Sequence, residues 1–272
     1  MKQPRKHLLC LLLALWLTGV LLAGCAADTA DANADLPVIT VGCDNYPPFT
    51  YVNSDGKPVG IDVELADEAF RRMGYRPEFV TINWAEKNTL LENGVIDCIW
   101  SSFSMSGRAD EYTWAGPYMY SHQVVAVMPD SDIQTLADLA GKTVVVQATT
   151  KPESLFLDGN DPRIPEIRAL HSLQKRELIY SYLAKGYADA VAAHEISILQ
   201  FMKDYGFEFR ILEEPLEAVE LGVAFSRSDD RGIAQALSAT LEEMHTDGTT
   251  RSILARYLAD PDKYLEADGY AD

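Results

Sequence analysis

Hydrophobic and polar positions along this chain follow two patterns that take turns: short apolar runs, and apolar residues recurring about every four positions. Residues 38–41 (Val-Ile-Thr-Val) form such a run and predict a buried strand. Ile61, Leu65, Ala69 and Met73 then lie four apart, predicting one face of a helix that Gly74 stops. A strand follows at 79–82, and Asn83 with Glu86 three residues on predicts a capping box opening a helix that Gly94 closes. The run 95–100 predicts a third strand. Strands at 124–128, 143–146, 188–193, 207–212 and 221–225 continue the series, with helices near 136–139, 173–184, 233–244 and 250–258. This alternation predicts an α/β fold of open, mostly parallel sheets with helices on both faces. In such sheets ligands bind beyond the carboxyl ends of the strands, so candidate chemistry is sought just after each strand.

The amino terminus departs from this pattern. Lys2, Arg5 and Lys6 precede an uncharged apolar run over 8–22, the layout of a secretory signal over residues 1–24. The run ends in Leu22-Ala23-Gly24-Cys25, which resembles the lipobox of bacterial lipoproteins. That resemblance implies lipidation at Cys25 and an extracytoplasmic protein held to the cell membrane by its lipid anchor only. A transmembrane helix is the alternative, opposed by the short run and the polar stretch behind it. Residues 25–36 carry few large apolar side chains and read as a flexible tether. No later segment approaches the roughly 18 apolar residues that a membrane span needs.

Composition narrows the partners. The formal charge is -18 and falls to -21 when Lys2, Arg5 and Lys6 leave with the signal, which disfavours nucleic acid. Beyond Cys10 and Cys25 there remain Cys43 and Cys98, which read as two buried thiols, because a bridge between neighbouring parallel strands fits disulfide geometry poorly. No pair has metal-ligand spacing, and nothing in the sequence calls for a cofactor.

After the first strand, Asp44, Tyr46 and two prolines present a carboxylate and an aromatic ring at the sheet edge. Trp84 follows the second. The third leads into Ser101, Ser102, Phe103 and Ser104 and then Arg108, a dense run of hydroxyls ending in a guanidinium. Further on, Thr149 and Thr150 precede a helix, and Thr150 with Glu153 predicts a second capping box whose N–H groups attract an anion. Gln147 reads as a strand end and no more.

Together these positions resemble the family 3 extracellular solute-binding proteins, the amino-acid-binding components of ATP-driven importers. The resemblance runs from about residue 38 to 258. It rests on 41–49 with Val59-Gly60-Ile61-Asp62, the hydroxyl run with its arginine, Ala115-Gly116-Pro117-Tyr118, and 236–248 with Asp247-Gly248. It implies a two-lobe, type II periplasmic-binding-protein-like fold. Lobe 1 would be 37–127 and 222–272, lobe 2 would be 128–221, and the crossings would lie near 126–129 and 220–224. The function implied is capture of a small amino-acid-like ligand and its delivery to ABC permease subunits. Arg108 would clamp the ligand carboxylate bidentately, with Thr149 and Thr150 holding it from the other lobe. Ser101, Ser102 and Ser104, in the run that includes Phe103, would bind the polar head group. Tyr46 and Trp84 would flank the side chain, and Asp44 would accept a hydrogen bond from it.

Three departures from the family pattern stand out. The loop 104–108 is one residue short, no glycine precedes the threonines, and His194 stands where the family places the aspartate for the ligand ammonium. Glu195, next in sequence, would take over that role, or the ligand is not a standard α-amino acid. Asp44 and Glu195 in one cleft would favour a polar or cationic side chain. Duller roles stand beside these: Arg108 paired with Asp110 or Glu111, Tyr46 and Trp84 as core, His194 as a satisfied buried histidine. Two other functions remain open. One is an exported enzyme on this fold, similar to cyclohexadienyl dehydratase, with His194 and Glu195 as acid and base; the other is a soluble receptor feeding a sensor.

Overall fold

Strand β1 (Val38–Cys43) lies in the middle of three parallel strands, pairing with β4 (Arg76–Thr81) and β5 (Cys98–Ser104) in the computed structural model, which describes residues 35–267. The signal, Cys25 and nearly all of the tether lie outside the described residues. Between β1 and β4 the chain makes a two-strand ribbon, β2 (Tyr51–Val52) and β3 (Pro58–Val59), and then α1 (Ile61–Arg72). Helix α1 buries Ile61, Leu65 and Ala69 of the face its four-residue spacing predicts, with Phe70 beside them, while Met73 caps the helix end. It starts at Gly60, whose φ of 129° and the approach of Phe49 O to 2.3 Å from a would-be Cβ admit only glycine.

The helix expected after Asn83 is split into a 3-10 turn, Trp84–Glu86, and α2 (Lys87–Glu92). Asn83 accepts a bond from Ala85 N, while Glu86 takes the Asn83 side-chain amide rather than its backbone N–H. Strand β5 is displaced from the expected 95–100. Val95 is exposed, and the serine run forms the second half of the strand instead of following it. The physical cause sits at Asp97, whose carboxylate replaces a backbone acceptor for Thr40 N at 2.8 Å and so delays regular pairing.

Strand β6 (Thr113–Val127) is far longer than the 124–128 expected. Its first part pairs antiparallel with β11 (Glu217–Phe225) and its last with β9 (Ala190–His194). The change of partner falls at Gln123, which faces both Glu217 and His194, a few residues before the crossing read from sequence. The second parallel set is β9, β7 (Thr143–Gln147) and β8 (Ala169–Leu173), the last of which the sequence pattern does not predict, its Leu173 alone falling in the helix expected over 173–184. The helices of this half are α3 (Lys151–Asp158), α4 (Arg176–Ala184) and α5 (Glu195–Tyr205), followed by β10 (Arg210–Ile211). Helices α6 (Ile233–Thr246) and α7 (Thr249–Leu254) return to the first half, while 136–139 forms only a 3-10 turn.

The strand order β4-β1-β5-β11-β6-β9-β7-β8 therefore joins two lobes, each with three parallel strands, through antiparallel β11 and β6. Each lobe has its own core on both sheet faces. Trp100, Phe70 and Leu237 belong to one and Ile99, Phe103 and Trp84 to another in the first lobe; Val145, Ile179 and Leu183, then Val144, Leu136 and Leu216, serve the second. Cys43 and Cys98 are buried and unbonded to each other, with burial pushing the Cys43 thiol up to about 12.

Candidate functional site

The carboxyl ends of β5, β7 and β9 converge on one cleft with Gln123 of β6, the place at which open α/β sheets bind ligands. It holds about 370 Å3 of empty space, its mouth included. One wall is Trp84, Ser102, Phe103, Ser104 and Arg108. The other is Gln147, Thr150, Lys151, Pro152, Arg176 and His194, with Ala192 and Ala193 at the back.

The first wall depends on a distorted stretch of β5. Ser102 holds φ 49°, in the left-handed region that a β-strand residue ordinarily avoids, and the β5–β11 register slips between Gly222 and Ala224. Fully buried Asp62 fixes this shape, accepting Ser102 N at 2.7 Å and Tyr118 OH at 2.9 Å. Burial outweighs those two bonds and raises its pKa to about 7. Left-handed Ser102 and Thr149 (φ 58°) each cost on the order of 1–3 kcal/mol, strain of the kind that collects at binding sites. Thr149 itself adopts the conformation for which the sequence lacks a glycine.

Arg108 stacks on Phe103, 5.2 Å from the ring centroid, and donates one hydrogen bond, to Ser104 O at 3.2 Å. Neither Asp110 nor Glu111 forms an ion pair with it; Asp110 O instead receives Arg227. Trp84 packs edge-on against Phe103 at 5.2 Å. Lys87, nearly buried, reaches across the cleft to Thr149 Oγ1 at 3.1 Å, and burial first, then Arg108, lowers its pKa to about 8.

On the second wall the expected capping box does not form. Glu153 accepts Thr149 N at 2.5 Å, and the Thr150 hydroxyl donates to Gln147 O at 2.6 Å. The start of α3 thus already has a carboxylate on it. His194 is the last residue of β9, with the Gln123 amide 2.8 Å from its Nε2 and Ser121 Oγ 3.0 Å from Nδ1. Burial, then Arg176, lowers its pKa to about 3, so it is neutral at physiological pH.

Five expected residues lie off the cleft wall. Ser101 accepts Asp44 N at 3.0 Å and so fastens the loop after β1. Asp44 accepts the Gln147 side-chain amide at 2.7 Å and faces Arg176 Nε at 3.6 Å, so it is engaged across the lobes. Tyr46 is fully buried beneath the Arg176 guanidinium, 3.3 Å from ring centroid to Cζ, and borders a neighbouring cavity. Glu195 turns away to Lys263 at 3.1 Å, so the expected pairing of Asp44 with Glu195 in one cleft is not what the structure builds. Thr149 meets Lys87 at the cleft edge.

Lys87, Gln123, Gln147, Lys151 and Arg176 are the residues that sequence reasoning passed over. Several polar atoms at this site are buried without a hydrogen-bond partner: Ser102 Oγ, Ser104 Oγ, Trp84 Nε1, Gln123 Oε1, Gln147 Oε1 and Arg176 Nε. Each leaves on the order of 1–3 kcal/mol of desolvation uncompensated. All six belong to residues lining the cleft. The arrangement suits a small polar ligand that supplies the missing partners.

Comparison with known proteins agrees with this architecture. The model of the bacterial extracellular solute-binding proteins, family 3, matches residues 39–260. The histidine-binding periplasmic protein of Salmonella typhimurium is 32% identical over 229 residues, covering 80% of this chain and 86% of that one. The glutamate-binding protein GluB of Corynebacterium glutamicum is 26% identical over 275 residues, 92% of this chain and 90% of its own. Among solved structures, Tv2483 bound to L-arginine superposes with a TM-score of 0.75 at 26% identity, over 82% of this chain and 91% of that one. With the matched family spanning both lobes and the cleft between them, the chain belongs to the bacterial extracellular solute-binding proteins of family 3.

Proposed function

We propose that this protein captures a small carboxylate-bearing, amino-acid-like molecule in the cleft between its lobes and delivers it to the permease subunits of an ABC importer. The carrying observation is the set of buried unpartnered polar atoms that converge on the cleft beside Arg108. Arg108 is the carboxylate clamp, Ser102 and Ser104 meet polar substituents, and Trp84 covers the ligand. Lys87 with Thr149, and Asp44 with Gln147, latch the lobes when they close. Binding is not followed by turnover: His194 is neutral and held by Gln123 and Ser121, and Glu195 is committed to Lys263, so these two do not form an acid–base pair in the cleft. The signal and Cys25 anchor the protein outside the cytoplasm through lipid.

Native mass spectrometry of protein purified gently from its own cells tests this. The expected result is one retained small acid, released on denaturation and lost in Arg108→Ala. Retention of the same molecule by Arg108→Ala would contradict the assignment of the cleft.

A further inference from the structure

Arg176 is the least satisfied cation of the site. It is 94% buried, yet no hydrogen bond reaches any of its nitrogens among the described residues. Among the described residues its one oppositely charged neighbour within 4 Å, Asp44, stands 3.6 Å from Nε, beyond hydrogen-bond reach, and that same carboxylate oxygen already accepts Gln147. Tyr46 fixes the guanidinium plane from below. The Arg176 Nε in particular is buried without an acceptor, a donor that an anion in the cleft would complete. Arg108 poses the same demand from the opposite lobe, with a single backbone acceptor. No carboxylate lines the cleft among the described residues, and the acids nearby are engaged, Glu217 with Lys151 and Glu153 with Thr149 N.

The cation of an ordinary amino acid fares poorly in such a place. At the back wall the groups on offer are neutral, Gln123 and His194, with Gln123 Oε1 still open to an uncharged donor. We propose that the ligand is a small dicarboxylate without an ammonium group, one carboxylate held by Arg108 and the other by Arg176. This rests on the capture function proposed above and names its substrate class. The second carboxylate gives Arg176 its bidentate partner, and a hydroxyl or amide substituent would satisfy Gln123.

Isothermal titration of the purified protein with glutarate, glutarate monoamide, L-glutamate and L-arginine, with succinate and adipate for chain length, tests the proposal. The best dicarboxylate should bind at least tenfold tighter than L-glutamate and at least thirtyfold tighter than the monoamide, with L-arginine undetectable. Arg176→Met should shrink the gap between glutarate and its monoamide to under threefold, with Arg176→Lys intermediate. Should neither variant fold, the ligand ranking on the unmodified protein decides. Tighter binding of L-arginine or L-glutamate, or no binding by any C4–C6 dicarboxylate, would overturn the dicarboxylate assignment. If such an amino acid bound and Arg108→Ala abolished it, the capture function would stand and only this inference would fall; binding untouched by Arg108→Ala would remove both.

Discussion

Replacing Arg108 by alanine separates ligand binding from stability, because the side chain does little for the unliganded fold. It contributes one hydrogen bond, to Ser104 O at 3.2 Å, and stacking on Phe103 at 5.2 Å. Those contacts are worth about 0.5–1.5 and 0.5–1 kcal/mol. Against them stands the cost of burying a guanidinium, the first cause of its lowered pKa. The net change in unfolding free energy should therefore stay within about 1 kcal/mol. In the complex the variant leaves a ligand carboxylate in the cleft without its charged partner, a loss of about 2–5 kcal/mol. That corresponds to roughly 30-fold to 4,000-fold weaker binding at 25 °C. Arg108→Lys should recover little, since an ammonium cannot reproduce two parallel hydrogen bonds. Titration calorimetry beside a urea melt reads both quantities. Near-normal affinity, or a stability loss of several kilocalories per mole with affinity spared, would refute the clamp and make Arg108 a structural residue.

Burial raises the Asp62 carboxyl to about 7 in the folded protein, above the ordinary carboxylate value of about 4, so its stabilising contribution is complete below about pH 4 and is lost as pH rises through 7. Urea stability of Asp62→Asn should be flatter between pH 4 and 8 than that of the parent by on the order of 2–4 kcal/mol; parallel profiles would show that burial does not govern this carboxyl. Gly60→Ala sets a Cβ 2.3 Å from Phe49 O and 2.7 Å from Pro48 O, backbone atoms that cannot swing aside, and should cost about 3 kcal/mol or more in a thermal melt. Cys25→Ser should abolish acylation, read by mass spectrometry of the membrane fraction, and an acylated variant would contradict the lipobox reading.

Much of the fold was legible because its buried strands and helix α1 satisfy local rules that tertiary contacts also need. The places where reading failed share a cause. Strand β6 carries Gly116-Pro117 and polar residues such as Ser121, His122 and Gln123, so no simple alternation marks it. It is nevertheless held on both sides, by β11 and then β9, and tertiary pairing overrides its weak pattern. Missing its first part meant missing Gln123. Strand β8 (Ala-Leu-His-Ser-Leu) is only partly buried and abuts α4, so no buried run marks it and its last residue, Leu173, reads as the start of that helix. Without the strand, Arg176 has no strand end to follow, and a rule that inspects residues after strands passes it over.

Some residues of the candidate cleft were visible for a different reason. Ser102, Ser104, Arg108, Trp84, Thr150 and His194 all reach the cleft because the ends of parallel strands converge wherever this fold forms. What one sequence does not reveal is pairing across lobes. Asp44 looks like an exposed hydrogen-bond acceptor until Gln147 and Arg176 arrive from the other lobe, and Glu195 looks like its counterpart until α5 turns it toward Lys263. These contacts join residues far apart in sequence, 103 positions for Asp44 with Gln147 and 68 for Glu195 with Lys263, and leave no local signature.

A thermal-shift panel of amino acids and small carboxylic acids, run in parallel on the unmodified protein and on Arg108→Ala, tests ligand capture in the cleft most directly. A ligand at a hundred times its dissociation constant adds about 2.7 kcal/mol, enough to raise the midpoint by several degrees. The expected result is a clear rise with at least one carboxylate for the unmodified protein and none with the same compound for Arg108→Ala. Equal shifts in both proteins, or no shift with any compound of the panel, would contradict the account.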